Sequence, residues 1–115
     1  MHELSLLQGV VTAVEKAAVD SGATGVERVG LRVGTMSGAV PEALDSALPL
    51  AAVGTLAEGA LLELEVLIAA VWCPTCEAEQ EIDEFYALTC PQCGTPTGDL
   101  VRGREFEVVF ADVTH

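Results

Sequence analysis

Basic residues, aromatic residues and long apolar runs are all scarce in this chain. Five Lys and Arg stand against 18 Asp and Glu, a net charge of −13 over 115 residues with histidine neutral. That balance argues against a nucleic-acid partner, because phosphate binding needs clustered Lys and Arg. It also argues against a basic contact with an anionic membrane surface. The longest apolar run, Val66 to Cys73, is far short of a membrane span. Met1-His2-Glu3 puts no basic stretch ahead of an apolar one and does not read as a signal peptide, so a cytoplasmic location is expected. Aromatics are limited to Trp72, Phe85, Tyr86, Phe106 and Phe110. What is abundant is aliphatic: half the residues are apolar, which argues against wholesale disorder. The length fits one domain, or a small domain carrying an inserted module, and is too short for a barrel enzyme of the usual size.

Periodicity organises most of the chain. Leu4, Leu7, Val11, Val14 and Ala18 recur at steps of three and four and predict a helix from Leu4 to Val19, with Ser21-Gly22 as its stop. Val29, Leu31 and Val33 alternate with Arg28, Gly30 and Arg32, the signature of a strand over Val26 to Val33. Pro41 suits the first turn of a second helix, Gly54 can end it, and Pro49 in its interior predicts a kink or an early end. A second strand is expected from Ala60 to Ala69, with Leu62, Leu64, Val66 and Ile68 on one face and Glu63 and Glu65 on the other. A third runs from Arg104 to Val113, with Phe106, Val108 and Phe110 opposite Glu105 and Glu107. The expected fold is α+β: two helices on a three-stranded sheet, with an inserted four-cysteine module resembling a zinc ribbon. Residues 1–70, completed by a returning strand within 100–115, form the α/β domain, and residues 71–99 form the module.

The module holds the strongest chemical signal. Cys73-Pro74-Thr75-Cys76 and Cys90-Pro91-Gln92-Cys93-Gly94 are separated by 13 residues. Two residues between the members of a pair let both thiolates of one tight turn reach the same ion. Two such knuckles supply four sulfurs tetrahedrally, which suits Zn(II). In a reducing compartment this arrangement is favoured over two disulfides or four unrelated thiols. Four protein thiolates leave no position for water, so the site is structural and its metal contributes folding energy. Iron in a rubredoxin-like centre would use the same ligands and stays open at this point. Glu77, Glu79, Glu81, Asp83 and Glu84, between the knuckles, read as one solvated face of a hairpin strand.

A smaller signal lies at the start. The Met1 amine, the amide nitrogen and Nδ1 of His2, and the amide of Glu3 can close adjacent chelate rings, a planar four-nitrogen set preferred by Ni(II) and Cu(II). Amide nitrogens ligate only when deprotonated, so affinity should rise with pH. Glu3 can add a carboxylate or orient the other ligands. A histidine near a terminus is, taken alone, more often simply solvated, and His115 is read as an exposed tail residue.

Together these pieces are similar to the hydrogenase nickel-incorporation family (HypA/HybF). The likeness rests on Met1-His2-Glu3-Leu4-Ser5, on Leu31-Arg32-Val33-Gly34-Thr35-Met36-Ser37-Gly38-Ala39-Val40-Pro41-Glu42-Ala43-Leu44, on the Leu62-Glu63-Leu64-Glu65 strand, on the paired knuckles, and on Gly103-Arg104-Glu105-Phe106-Glu107-Val108. It covers essentially the whole chain in order. The resemblance implies a nickel metallochaperone, not an enzyme. It implies Ni(II) carried by Met1, His2 and Glu3, and Zn(II) held by Cys73, Cys76, Cys90 and Cys93. Its implied partners are the GTPase HypB and the large subunit of [NiFe]-hydrogenase, with urease maturation served by some members. A homodimer is compatible with the sequence and not required by it. Three departures stand out: Pro49 and the lack of aromatics in the second helix, the acidity between the knuckles, and a C-terminus less acidic than is usual in the family. The competing readings are an iron–thiolate electron-transfer protein and a zinc-ribbon interaction module.

Overall fold

The computed structural model describes residues 2–83 and 88–115. Met1, and Glu84 within the acidic stretch, lie outside the described residues. The chain divides into two compact units: residues 1–32, 39–65 and 107–115, and residues 33–38 with 66–106.

In the first unit α1 (His2–Asp20) is longer than the periodicity implies by two residues at its start and one at its end. It buries Leu7, Val10, Val11, Val14 and Ala18, one stripe as the spacing requires. The chain leaves it through Gly22 at a φ of +81°, with the Ala23 N–H returning to the Ala18 carbonyl at 2.9 Å. α2 (Pro41–Ala51) packs against α1 through Leu44, Ala47 and Leu48. Pro49 lies inside α2, and the helix stops at Ala51, three residues before Gly54. A proline near the end removes one N–H from the last turn, which costs little where the helix is already ending. The Ala52 N–H closes that turn on the Leu48 carbonyl at 3.0 Å.

β1 (Gly25–Gly34) is the central strand of a three-stranded sheet, flanked by β2 (Leu61–Leu67) and β6 (Phe106–Thr114). Val29, Leu31 and Val33 are buried, whereas Arg28 and Arg32 lie on the other face among carboxylates. Arg28 pairs with Glu63 of β2 and with Asp112 of β6 at 2.6 Å. Arg32 pairs with Glu65 at 3.2 Å and Glu107 at 2.9 Å. Each pair is partly exposed, so its net contribution to stability is small. Their arrangement nonetheless fixes which face of each strand is wet.

Two expected faces need correction. Val66 and Ile68 do not continue the half-buried row of Leu62 and Leu64; they are 45% and 48% exposed. The strand ends at Leu67, and the fully buried residues that follow are Ala69 and Ala70. On β6 the simple alternation also fails. Glu107 reaches Arg32, yet Phe110, of opposite parity, lies on the same face of β1, where a Cβ on Gly30 would sit 2.6 Å from its ring. The Arg28 guanidinium sits 5.6 Å from the same ring, a cation–π contact. The strand therefore changes phase between Glu107 and Phe110, and Val108 and Val109 are both more than 40% exposed. Gly30 is thus a glycine because an aromatic ring from the neighbouring strand occupies the place of its side chain.

The second unit contains a second three-stranded sheet, β4-β3-β5, made of β3 (Ala70–Cys73), β4 (Ala78–Glu81) and β5 (Leu100–Arg102). Sequence alternation anticipated only a hairpin strand here. β3 and β4 pair antiparallel from Ala70↔Glu81 to Cys73↔Ala78, so the first knuckle is the hairpin turn itself. Arg102 of β5 reaches Glu79 at 2.9 Å and Glu81 at 3.8 Å, which partly neutralises the acidic face of β4. The unit's core is small: Ala69, Val71 and Ile82, with Met36, Leu88 and Leu100 against them. Residues 33–38 belong to this unit because the Thr35 N–H donates to the Leu67 carbonyl at 2.9 Å and the Met36 N–H to the Gly103 carbonyl at 2.7 Å. No helix among the described residues is long and apolar enough to cross a membrane.

Candidate metal centres

All four cysteines are free thiols, and their sulfurs all lie within 4.8 Å of one another. Sγ of Cys73 is 3.5 Å from that of Cys93, and Sγ of Cys76 is 3.9 Å from that of Cys90. A tetrahedral zinc with Zn–S bonds of about 2.3 Å sets its sulfurs roughly 3.8 Å apart, so the cluster has the dimensions of that site. A disulfide would need about 2.05 Å. Cys73 and Cys90, the first member of each knuckle, are buried, and Cys76 and Cys93 are exposed. The metal would sit with one side against the unit's interior and one side toward solvent.

Local geometry explains the spacing. In the first knuckle the Cys76 N–H turns back to donate to Sγ of Cys73 at 3.3 Å. In the second the Gly94 N–H donates to the Cys90 carbonyl at 2.9 Å, and the Cys90 N–H to the Thr95 carbonyl at 2.9 Å. The residue after each second cysteine takes a left-handed conformation: Gly94 at a φ of +79° and Glu77 at +53°. Glycine adopts this freely, and glutamate does so at a cost of about 1–2 kcal/mol. Glu77→Gly removes that strain and a negative charge beside four thiolates, while loosening the unfolded chain by about 0.4–1 kcal/mol. The expected net effect is stabilisation by up to about 1 kcal/mol, read as a higher unfolding midpoint of the zinc-loaded protein.

The sulfurs do not share charge evenly. The Cys93 thiol is pulled down to about 6, because the Thr95 hydroxyl and the Thr95 backbone N–H both donate to it. Cys76 is pushed up to about 12 by its hydrogen bonds with the neighbouring sulfurs of Cys93 and Cys73. Four sulfurs at this spacing resist a last negative charge unless a cation sits among them, and a divalent ion supplies that compensation. Thr95 was not singled out by the sequence. The only signal for it is a hydroxyl two residues after the final cysteine.

At the other candidate site, His2 and Glu3 occupy the first turn of α1. His2 is exposed. The amides of a helix's first turn have no upstream carbonyl to bind, so a metal can use those of His2 and Glu3 without breaking a helical hydrogen bond. The Glu3 carboxylate accepts from the Val40 N–H at 3.2 Å. Its pKa is lowered by its own backbone N–H, then by that of Val40, with nearby His2 adding to the effect. Val40 is the N-cap of α2 and has no cap from its own side chain. Glu3 therefore fastens the first turn of α1 to the start of α2, as the glutamate of a capping box would. Met1, the third residue expected at this site, lies outside the described residues. His115, also exposed, is the last residue of the chain.

The family model for hydrogenase/urease nickel incorporation, the metallochaperone HypA, matches residues 1–113. The chain belongs to the HypA family. It is 39% identical over 109 residues to the hydrogenase maturation factor HypA of Chloroflexus aurantiacus, covering 95% of this chain and 96% of that one. To its counterpart in Nitrosospira multiformis it is 38% identical over 113 residues, 98% and 97% of the two chains. The fold matches the solution structure of the Ni metallochaperone HypA from Helicobacter pylori, with a TM-score of 0.66, 19% identity and 97% coverage of each chain. A second solution structure of a HypA protein gives a TM-score of 0.67 at 19% identity, covering 98% of this chain and 96% of the other. The family is one of nickel metallochaperones, and the four-cysteine centre has the dimensions that fit zinc.

Proposed function

We propose that this chain delivers Ni(II) to the large subunit of [NiFe]-hydrogenase during maturation, in the cytoplasm and together with the GTPase HypB. Nickel is cargo, bound by the Met1 amine, by His2 and by the Glu3 amide. Zinc is structural, bound by Cys73, Cys76, Cys90 and Cys93. The observation that carries the division is the contrast in setting: an exposed histidine and a half-buried glutamate in a first helical turn, against four sulfurs clustered within 4.8 Å. A terminal chelate can hand over its ion by ligand exchange, which needs no nucleophile or general base. A closed tetrathiolate offers no open position for exchange. Two deprotonated amides offset the charge of Ni(II), so the complex is neutral and sits without penalty at the positive end of α1. On this reading nickel belongs to the unit of residues 1–32, 39–65 and 107–115, and zinc to the unit of residues 33–38 and 66–106, which is larger than the 71–99 expected from sequence. The acidic surface favours basic partners and opposes self-association. Urease maturation proteins are a second class of acceptor.

The test is a nickel titration, by calorimetry and absorption, of zinc-loaded protein with an authentic Met1, beside the same chain carrying a few extra residues before Met1. One nickel per chain, tighter at higher pH and lost on extension while zinc stays bound, is the expected result. Equal binding by both chains would move nickel to carboxylates or to His115. No binding by either would leave a zinc-stabilised interaction module as the better reading.

A further inference from the structure

The hydroxyls around the cysteine centre form a connected chain. Sγ of Cys93 lies 3.1 Å from Oγ1 of Thr95, and that oxygen lies 3.1 Å from Oγ1 of Thr75. Thr75 sits inside the first knuckle and Thr95 just beyond the second, so the chain runs from one knuckle to the other. Thr95 is not free to drift. Its carbonyl accepts from the Cys90 N–H at 2.9 Å, and its neighbour Pro96 bridges to Thr89. The sulfur it meets is one of the two exposed ones, on the side where water or a competing ligand first reaches the ion.

Hydrogen-bond capacity fixes the direction of this chain. A zinc-bound thiolate has no proton and can only accept. A hydroxyl has one proton to donate and lone pairs to accept with. In the structure Oγ1 of Thr95 donates to Oγ1 of Thr75; with zinc bound, the Cys93 thiolate takes the Thr95 proton, and the contact between the threonines is kept by the Thr75 hydroxyl donating in turn to Thr95.

We propose that Thr75 and Thr95 are positioning residues of the zinc centre: a directed hydroxyl chain, Thr75 to Thr95 to the Cys93 thiolate, clasps the two knuckles and holds zinc on its exposed side. The inference rests on the zinc reading above. A hydrogen bond to a metal-bound thiolate lowers the energy of the sulfur lone pairs, orients the ligand and slows its replacement. Loss of such an outer partner characteristically weakens metal binding about 10–100-fold. Thr75 acts through Thr95.

The test uses the full chain. Zinc release to a chromogenic chelator is followed for the parent and for Thr95→Val, Thr95→Ser, Thr75→Val and the double valine variant. The same proteins are then loaded with Co(II), whose thiolate charge-transfer band reads the hydrogen bonding of the sulfurs. A tetrahedral tetrathiolate spectrum from the parent establishes the four-cysteine site independently of the hydroxyls, so failure of that reading is distinguishable from failure of this one. We expect Thr95→Val to weaken zinc retention about 10–100-fold and to move the charge-transfer band to lower energy. Thr95→Ser should restore both. Thr75→Val should have a smaller effect of the same sign, and the double variant should be no worse than Thr95→Val, because Thr75 has nothing left to act through. If Thr95→Val fails to load metal, Thr95→Ser and Thr75→Val decide: parent-like behaviour of the first and a band shift in the second support the clasp. An unshifted band in Thr75→Val, failure of serine to rescue, or strictly additive valine effects would overturn it.

Discussion

Replacing His2 with alanine is expected to abolish tight nickel binding while leaving the fold and the zinc content unchanged. In the proposed site the imidazole would close the last chelate ring of a planar four-nitrogen set, and without it a weaker water or carboxylate ligand would have to complete the square. Losing a direct ligand should cost more than the roughly 10–100-fold typical of an outer partner. Stability should barely move, because His2 is exposed in the first turn of α1 and the structure gives it no packing role. Surface substitutions of this kind usually stay within about 0.5 kcal/mol. The experiment pairs a nickel titration with thermal unfolding and a zinc assay. Nickel bound at the parent's affinity would remove His2 from the site. A large fall in the unfolding midpoint would show that the first turn of α1 has a structural task as well.

Cys90→Ala should do the reverse. Cys90 is 1% exposed, and its N–H and carbonyl both close the second knuckle, to the Thr95 carbonyl and from the Gly94 N–H. Alanine would remove one of the four proposed ligands and open the coordination sphere to water. Structural zinc sites contribute about 10–16 kcal/mol of apparent binding free energy, and a core of Ala69, Val71, Ile82, Met36, Leu88 and Leu100 cannot replace it. We expect zinc to be lost to a mild chelator and amide protection to collapse across residues 66–106. Protection in α1 should persist, with its own buried stripe of Leu7, Val10, Val11, Val14 and Ala18. Stripping zinc from the parent chain should reproduce this pattern. If Cys90→Ala keeps its zinc and its protection, the centre is not held by four cysteines. If Cys90→Ala and His2→Ala unfold the chain to the same degree, the division between cargo and structural metal is wrong.

The four-cysteine cluster was legible without coordinates. Cys-x-x-Cys is readable because the turn that brings two sulfurs to one ion is local, and local geometry is written in four consecutive residues. α1 and β1 were legible for a related reason: their burial repeats at the period of the backbone. Elements without a period were not. β5 is three residues long, too short for any alternation, and exists because Ala70 and Val71 of β3 offer it a partner. The phase change in β6 was equally hidden, since it depends on Phe110 covering Gly30 of the neighbouring strand.

The sequence by itself determined the fold class, the family and the four-cysteine cluster, because each follows from residues close together in the chain or from a pattern repeated along it. Tertiary structure alone decided how the expected ligands are held. It set the Glu3 carboxylate on the Val40 N–H, 37 residues away, so that this side chain joins two helices. It also brought Thr75 and Thr95, 20 residues apart, within 3.1 Å of each other beside a cysteine sulfur. Contacts of that kind arise when distant segments are folded together, and no local spacing encodes them.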